Sequence, residues 1–514
     1  MNTIAMNKVF SAAISGLEAE LVEVEADLTS GLRFFAIVGL PDKSVEESKE
    51  RIAAAIKNSG LEPPQKHNKR VVINLAPADV KKEGSAYDLP IALSFLLSSE
   101  QINFDSKDKL FVGELALDGG LRRTNGILPI CLLAKEMGIK NVFIPKANDN
   151  EARLVKDIDI FPIESLAELV GFLEKRTEIS PLVSLDPEKE FLEMPSYPVD
   201  MAYIKGQQNA KRALEIAASG SHNVLMVGPP GAGKTLLAKA IPSILPKMTW
   251  EEIMEVTKIY SVAGKLSHKK PLILHRPIRS PHHSASEASL IGGGSMARPG
   301  EITLAHRGVL FIDEFPEIHR DVLESLRQPL EDGIVSVARA KASYVFPARF
   351  ILIAAMNPCP CGYYNDPEKQ CTCTQNQINK YQRKVSGPIM DRIDLYVEVP
   401  HVKYEKLTDE KIDGSSEEIR SRVEKTRKIQ TERFKNDNIV ANSEMTIPLI
   451  KKHCKTDDAG SKLLKNAVNN LHLSARGFHR ILKLARTIAD LDDSQNISSQ
   501  HIAEALQYRP KTEI

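Results

Sequence analysis

The sequence predicts an α/β chain in three parts. Residues 1–176 alternate strand-like and helix-like segments, residues 200–400 form a second α/β block, and residues 401–514 are helical. Three observations carry this. A short apolar strand, Asn223 to Val227, runs directly into a glycine loop and then a helix. The stretch 177–199 (TEISPLVSLDPEKEFLEMPSYPV) is proline-rich and has neither period, as a linker does. After about residue 400, apolar residues recur at helical spacing.

Length and composition agree. A chain of 514 residues corresponds to roughly three domains. With 42% apolar and 26% charged residues it has the balance of a globular protein. The net charge of +1, from 68 basic and 67 acidic residues, argues neither for nor against nucleic acid, so any such surface must be local. The longest apolar stretches fall short of a membrane span. The N-terminal segment is interrupted by charge and lacks a cleavage site, so no signal peptide is expected. Four of the six cysteines lie within fifteen residues. That is too uneven for a disulfide scaffold and fits metal binding in a reducing cytosol, so a cytoplasmic location is expected.

In the first block, Leu21 to Leu28 alternates with period two, as a strand does. Val45 to Asn58 carries Ile52, Ala55 and Ile56 at helical spacing behind a charged start. Val71 to Leu75, Leu110 to Leu117 and Asn141 to Ile144 read as strands. In the last block, helices are expected over Ser416 to Phe434, Ile447 to His453, Gly460 to Asn469, Arg476 to Leu491 and Ser498 to Tyr508.

The middle block carries the chemistry. The loop Gly228, Pro229, Pro230, Gly231, Ala232, Gly233, Lys234, Thr235 matches G-x-x-x-x-G-K-[ST] between a strand and a helix. Its glycines let backbone N–H groups face phosphates at a helix N-terminus, which favours anions. Lys234 is expected to pair with the β and γ phosphates of ATP and Thr235 to hold Mg²⁺. Gly308 to Phe315 (GVLFIDEF) is an apolar strand ending in two acids. Asp313 fits a Mg²⁺ ligand and Glu314 the base that activates water. A third strand, Phe350 to Ala355, leads to Asn357, whose amide can hold that water. Arg392, in a turn before a strand, and Arg476, in the first turn of a helix, both suit neutralising a γ-phosphate. For either arginine alone the alternative is a surface ion pair.

Cys359, Cys361, Cys371 and Cys373 form C-x-C-x₉-C-x-C. Four thiolates suit a closed, structural Zn²⁺ site. The spacing is unlike the commoner C-x₂-C pairs, and free thiols in a loop are the alternative. Ile334 to Phe346 has two β-prone arms around Arg339 and Lys341, and the loop Gly292 to Gly300 carries Arg298. In a near-neutral chain any surface for nucleic-acid phosphates must be local, and these basic turns are candidates for one. The alternative is a pair of ordinary solvated turns.

These elements, in this order, resemble the magnesium-chelatase-like branch of AAA+ ATPases, and over essentially the full length the YifB/ComM group of bacterial proteins. The stretches IVGLPDKSVEESKERI, NLAPADVKKEGSAYDLPIAL, HRPIRSPHHSASEASLIGGG, RPGEITLAHRGVLFIDEF, AAMNPCPCG and GPIMDRIDL carry the likeness. The resemblance implies an AAA+ core with a helical lid and a hexameric ring with ATP sites between subunits. It implies that Arg392 acts in trans as arginine finger, Arg476 as sensor 2 and Asn357 as sensor 1. It places Ile204 and Gly206 around adenine. It also implies DNA branch migration or helicase action in natural transformation, with the 334–346 hairpin in the central channel. A subunit powering metal chelation is the alternative function, against which stands the Lon-like N-terminal domain described next, expected to be lacking in the chelatase subunit; a nucleotide-gated scaffold would not need Lys234, Asp313, Glu314 and Arg392 together.

Residues 1–176 resemble the S5-like peptidase domain of Lon, which uses a Ser–Lys dyad. The alignment puts Ala86 at the nucleophile and Leu128 at the base. Ser85 is one residue off, and the next lysine downstream, Lys135, is about two helical turns further. A domain without peptidase activity is expected.

Overall fold

The computed structural model describes residues 8–66, 68–185, 197, 199–267, 270–293, 298–338, 343–402, 414–437, 439–470 and 473–510. The chain forms two compact units. One comprises Met1–Glu193, Ile253–Ile273 and Ser295–Arg298; the other comprises Met194–Glu252, Leu274–Gly294 and Pro299–Ile514.

The first unit is built on a seven-stranded mixed sheet in the order Phe34–Val38, Lys69–Ala76, Glu18–Ser30, Lys8–Ser15, Lys109–Phe111, Asn141–Pro145, Asp159–Ile163. Lys8–Ser15 and Glu18–Ser30 form an antiparallel hairpin, and the last three strands run parallel to the first. The helix Lys43–Asn58 starts where the Asp42 side chain accepts from the Val45 N–H, and it buries Val45, Ile52, Ala55 and Ile56. The stretch expected as one strand, Leu110 to Leu117, is two: Lys109–Phe111 and Glu114–Leu115. The break is a matter of hydrogen bonding. Gly113 N–H donates to Ala86 O at 3.0 Å and Leu115 N–H to the Asp88 carboxylate at 3.3 Å, so the backbone leaves the ladder. Part of the proline-rich 177–199 stretch also belongs to this unit. Leu182 and Leu185 N–H donate to Ile160 O and Arg153 O at 2.7 and 2.8 Å.

The second unit holds an all-parallel sheet in the order Ile278–Arg279, Val309–Ile312, Ile351–Met356, Val224–Val227, Leu395–Glu398. Its three middle strands are buried at every residue, which is why they read as unbroken apolar runs rather than alternating ones. The helices expected at the C-terminus are present as Ser416–Arg433, Ile447–His453, Asp458–Asn470, Ala475–Leu491 and Ser499–Gln507. They share one apolar core with the sheet. Val224, Ile353 and Leu395 from the strands join Val423, Ile488 and Ile502 from the helices in a single cluster. Buried charge there is paired. Asp490 accepts from Arg433 Nη1 at 2.7 Å and from Arg486 Nε at 3.0 Å, and Arg486 also donates to Gln495 O at 2.8 Å.

Among the described residues no helix is long and apolar enough to cross a membrane.

Candidate nucleotide site

Because all five strands run parallel, their C-terminal ends lie along one edge of the sheet. Ligands of open α/β sheets bind beyond that edge. Val227 leads there into the phosphate loop, Ile312 into Asp313 and Glu314, and Met356 into Asn357. Two glycines make the loop possible. A Cβ on Gly228 would stand 2.0 Å from Val399 O, and Gly233 caps the next helix at φ +91°. Lys234 opens that helix with its ammonium turned back into the loop, donating to Gly228 O at 2.7 Å, Pro229 O at 2.9 Å and Asn357 Oδ1 at 3.1 Å. It is 8% exposed, and burial pulls it below the ordinary lysine range against the opposing field of Asp313. Thr235 Oγ1 donates to Asp313 Oδ2 at 2.8 Å. A hydroxyl and a carboxylate so placed are the oxygen pair that Mg²⁺ with ATP would use.

Glu314 is exposed and sits at φ +50°, an uncommon left-handed setting for a non-glycine residue, with its N–H donating to Asp313 Oδ1 at 2.9 Å. Its carboxylate lies 3.3 Å from His283 Nδ1. Sequence reasoning missed His283. The signal was available: it follows the edge strand Ile278–Arg279, at the same end of the sheet as the two acids. Ile204 is buried and Gly206 has φ +65°. The adjoining Gln207 donates its amide to Ala232 O at 3.3 Å and Pro400 O at 2.6 Å, which ties this segment to the phosphate loop.

Arg392 and Arg476 are elsewhere. Arg392 lies just before Leu395, which pairs with Val224 at the start of the phosphate-loop strand, and Asn223 Nδ2 donates to Arg392 O at 3.0 Å. It is therefore at the N-terminal edge, a full strand of roughly 13 Å from the loop of its own chain. Arg476, in the first turn of the helix capped by Ser474, lies beside it. Both guanidinium groups grip one carboxylate, Glu331, Arg476 at 2.9 Å and Arg392 more closely still. Burial and then the neighbouring Arg476, Arg327 and Arg480 push Arg392 below the usual arginine range. Its Nε is buried with no hydrogen-bond partner. A cavity of about 570 Å³ opens here, lined by Glu331, Arg349, Arg392, Arg476, Arg480 and Lys483 among others.

The remaining candidates divide. Cys359, Cys361, Cys371 and Cys373 converge just beyond Asn357. Arg298 is exposed on the short strand Arg298–Pro299. The arms Ile334–Ala338 and Ser343–Pro347 form an antiparallel hairpin closing at Ala338 opposite Ser343; Arg339 and Lys341 lie outside the described residues. In the first unit, Ser85 Oγ donates to the Glu114 carboxylate rather than to a lysine amine. Leu128 is fully buried, and Lys135 Nζ pairs with Asp157 at 2.9 Å.

A parallel sheet with a phosphate loop, an acidic strand end and an amide strand end, packed on C-terminal helices, defines a magnesium-chelatase-like AAA+ protein. The family described as "Magnesium chelatase, subunit ChlI" matches residues 200–407, its C-terminal region matches 413–509, and "Subunit ChlI of Mg-chelatase" matches 24–148. Competence protein ComM of Haemophilus influenzae is 43% identical over 507 residues, covering 98% of this chain and 97% of that protein. The uncharacterized protein YifB of Escherichia coli is 40% identical over 508 residues, covering 98% and 97%. The magnesium-chelatase subunit ChlI of Bigelowiella natans is 27% identical over 177 residues, covering 30% of this chain and 48% of that protein. The chain belongs to the YifB/ComM family.

Proposed function

We propose that the chain is an ATP-hydrolysing ring motor, six copies to the ring, that acts on single-stranded or branched DNA in a ComM-like branch-migration role in recombination during natural transformation. The observation that carries it is the separation of the two arginines from the phosphate loop. One copy holds Lys234, Thr235, Asp313, Glu314 and Asn357 at one edge of its sheet, and Arg392 with Arg476 at the other. A complete site then needs the arginine edge of a second copy.

In that site Lys234 and the loop N–H groups would bind the phosphates, and Thr235 with Asp313 would hold Mg²⁺, which would supply positive charge at the γ-phosphate. Glu314 takes the proton of the attacking water, oriented by Asn357 and steadied by His283. Arg392 and Arg476 of the adjoining copy exchange Glu331 for the γ-phosphate oxygens, a planar fork meeting a trigonal anion. The first unit serves this motor without peptidase chemistry. Ser85 donates to the Glu114 carboxylate, a partner that does not activate it in the manner of a Ser–Lys dyad.

In this reading DNA phosphates are gripped by Arg339 and Lys341 and by Arg298, basic residues that six copies would gather around a ring. The test is ATPase rate and DNA affinity with single-stranded and forked DNA, for the wild type and for Arg339→Ala with Lys341→Ala. The wild type should be stimulated by DNA. The double variant should keep its basal rate, bind DNA more weakly and show a shallower dependence on salt, because fewer counterions are released. Unchanged affinity and salt slope would remove the hairpin from the DNA path.

The second reading is the ATPase subunit of a metal-chelatase-type complex, favoured by three ChlI matches that include the N-terminal unit. That unit therefore does not separate the two readings. Coverage does: the ChlI relative aligns with 30% of this chain and ComM with 98%. Absence of any DNA stimulation in the same experiment would shift the choice to the chelatase reading.

A further inference from the structure

The four cysteines of the second unit lie at one point. The first two sit on the turn that follows Asn357, and the second two return to it after nine intervening residues. All four sulfurs fall within 4.8 Å of one another. Cys359 Sγ is 3.3 Å from Cys361 Sγ and 3.7 Å from Cys371 Sγ, and Cys361 Sγ is 3.5 Å from Cys371 Sγ. These are not disulfides, which need about 2.05 Å between sulfurs, and all four are free thiols. Four sulfurs at the corners of a tetrahedron with metal–sulfur bonds of about 2.3 Å stand about 3.8 Å apart. The observed spacings lie close to that and far from the separation that four unlinked thiols in an open loop would keep.

The surroundings suit thiolates. Cys361 N–H donates to Cys373 Sγ and Cys373 N–H to Cys371 Sγ, each at 3.4 Å, the outer hydrogen bonds that stabilise charge on metal-bound sulfur. Cys359 is fully buried and the other three are half-buried. Four protein ligands leave no coordination position for substrate, so the site is structural.

Its position decides what it holds in place. Asn357 is two residues before Cys359. Gln382 Nε2 donates to Pro358 O at 3.1 Å, anchoring the peptide between them. Gly362, at φ +88°, packs so closely on the phosphate loop that a Cβ there would stand 2.4 Å from Pro230 Cδ. The cysteine turn is thus braced between the amide at the end of one strand and the loop at the end of the next.

We infer that Cys359, Cys361, Cys371 and Cys373 bind one structural zinc ion, and that this ion positions Asn357 and Pro230 for the nucleotide. The second half rests on the reading of the phosphate loop as an ATP site. Both halves are tested on the full-length protein purified without chelators or added metal. Elemental analysis should give about one zinc per chain; less than half an equivalent, or iron in its place, would overturn the assignment. Cys371→Ser should lose the zinc, whereas Cys131→Ala, in the other unit, should keep it. Since Cys371→Ser could fail to fold, zinc is also released from the folded wild type with an organomercurial and followed with a metallochromic dye. Binding of a fluorescent ATP analogue should weaken about tenfold or more on release and recover when thiol and zinc are restored. Full zinc content with nucleotide binding unchanged on release would overturn the positioning role. If Lys234→Ala bound the analogue as tightly as the wild type, the nucleotide-site reading would fail while the zinc content stood.

Discussion

The two edges of the parallel sheet in the second unit are built in opposite ways. At the C-terminal edge each functional side chain follows a strand of one sheet: Lys234 bonds its own loop and Asn357 at the end of the neighbouring strand, and Thr235 bonds Asp313, so parallel strand ends bring together residues 78 and 123 apart in sequence. At the N-terminal edge nothing is local. Glu331, Arg392 and Arg476 come from three separate elements, 61 and 145 residues apart in the two ion pairs. The first edge is held in place by the backbone of strands that run side by side. The second is a cluster of like charges kept together by one carboxylate, in which a buried Nε still lacks a partner. In the proposed ring, one edge receives the nucleotide from solution and the other meets it on the adjoining copy.

Substitutions at the two edges should therefore fail differently. The largest effect is expected for Arg392→Ala, about 10³–10⁵-fold in ATP turnover if it acts as a finger, with ATP binding by the isolated chain retained. Glu314→Gln should cost about 10²–10⁴-fold and likewise leave ATP binding intact, since the amide keeps the shape and loses the base. Mixing the two variants is the sharper measurement. Some interfaces would then join a sound Glu314 to a sound Arg392, and activity should exceed that of either variant alone. No recovery, with subunit exchange verified, would place both residues in one chain's site and collapse the contrast between the edges.

His283→Ala should lower turnover by about fivefold to tenfold, roughly 1 to 1.4 kcal/mol, the scale of one ordinary hydrogen bond, and steady-state rates at saturating ATP would show it. A rate equal to wild type would detach His283 from Glu314. The smallest effect belongs to Glu331→Gln. Its carboxylate is 43% exposed; the pair with Arg476, 63% exposed, is worth at most about 1 kcal/mol, and the pair with Arg392, 14% exposed, is shielded better but offset by the desolvation of that guanidinium. Releasing both arginines should raise kcat/KM for ATP by up to about fivefold. A fall instead would mean that Glu331 holds the arginines in their working position rather than standing in for a phosphate.

The same contrast marks what could be read from sequence. The phosphate loop, the acidic strand and Asn357 were legible because their function depends on spacing along one segment. The helices after residue 400 were legible from period alone. Glu331 and His283 were not, because each matters through a partner brought close only by the fold. In the first unit the helix Asp88–Ser98 escaped notice for another reason. Asp88 through Leu97 are all buried, so the helix has no polar face and no period to detect. The strand Lys8–Ser15 has buried neighbours at Ser11, Ala12 and Ala13, which blurs its alternation. Leu110 to Leu117 looked continuous because hydropathy does not report where backbone hydrogen bonds go.

The shared core of the second unit has a practical corollary. Strand side chains such as Val224 and Leu395 pack in the same cluster as Ile488 and Ile502, so neither the sheet nor the helices can bury their apolar faces without the other. Severing the polypeptide between residues 402 and 414 would cut a covalent bond without opening that cluster. The protein should therefore be expressible as two separate pieces that find each other in the cell, a split form in which ATP hydrolysis is switched on by supplying the second piece.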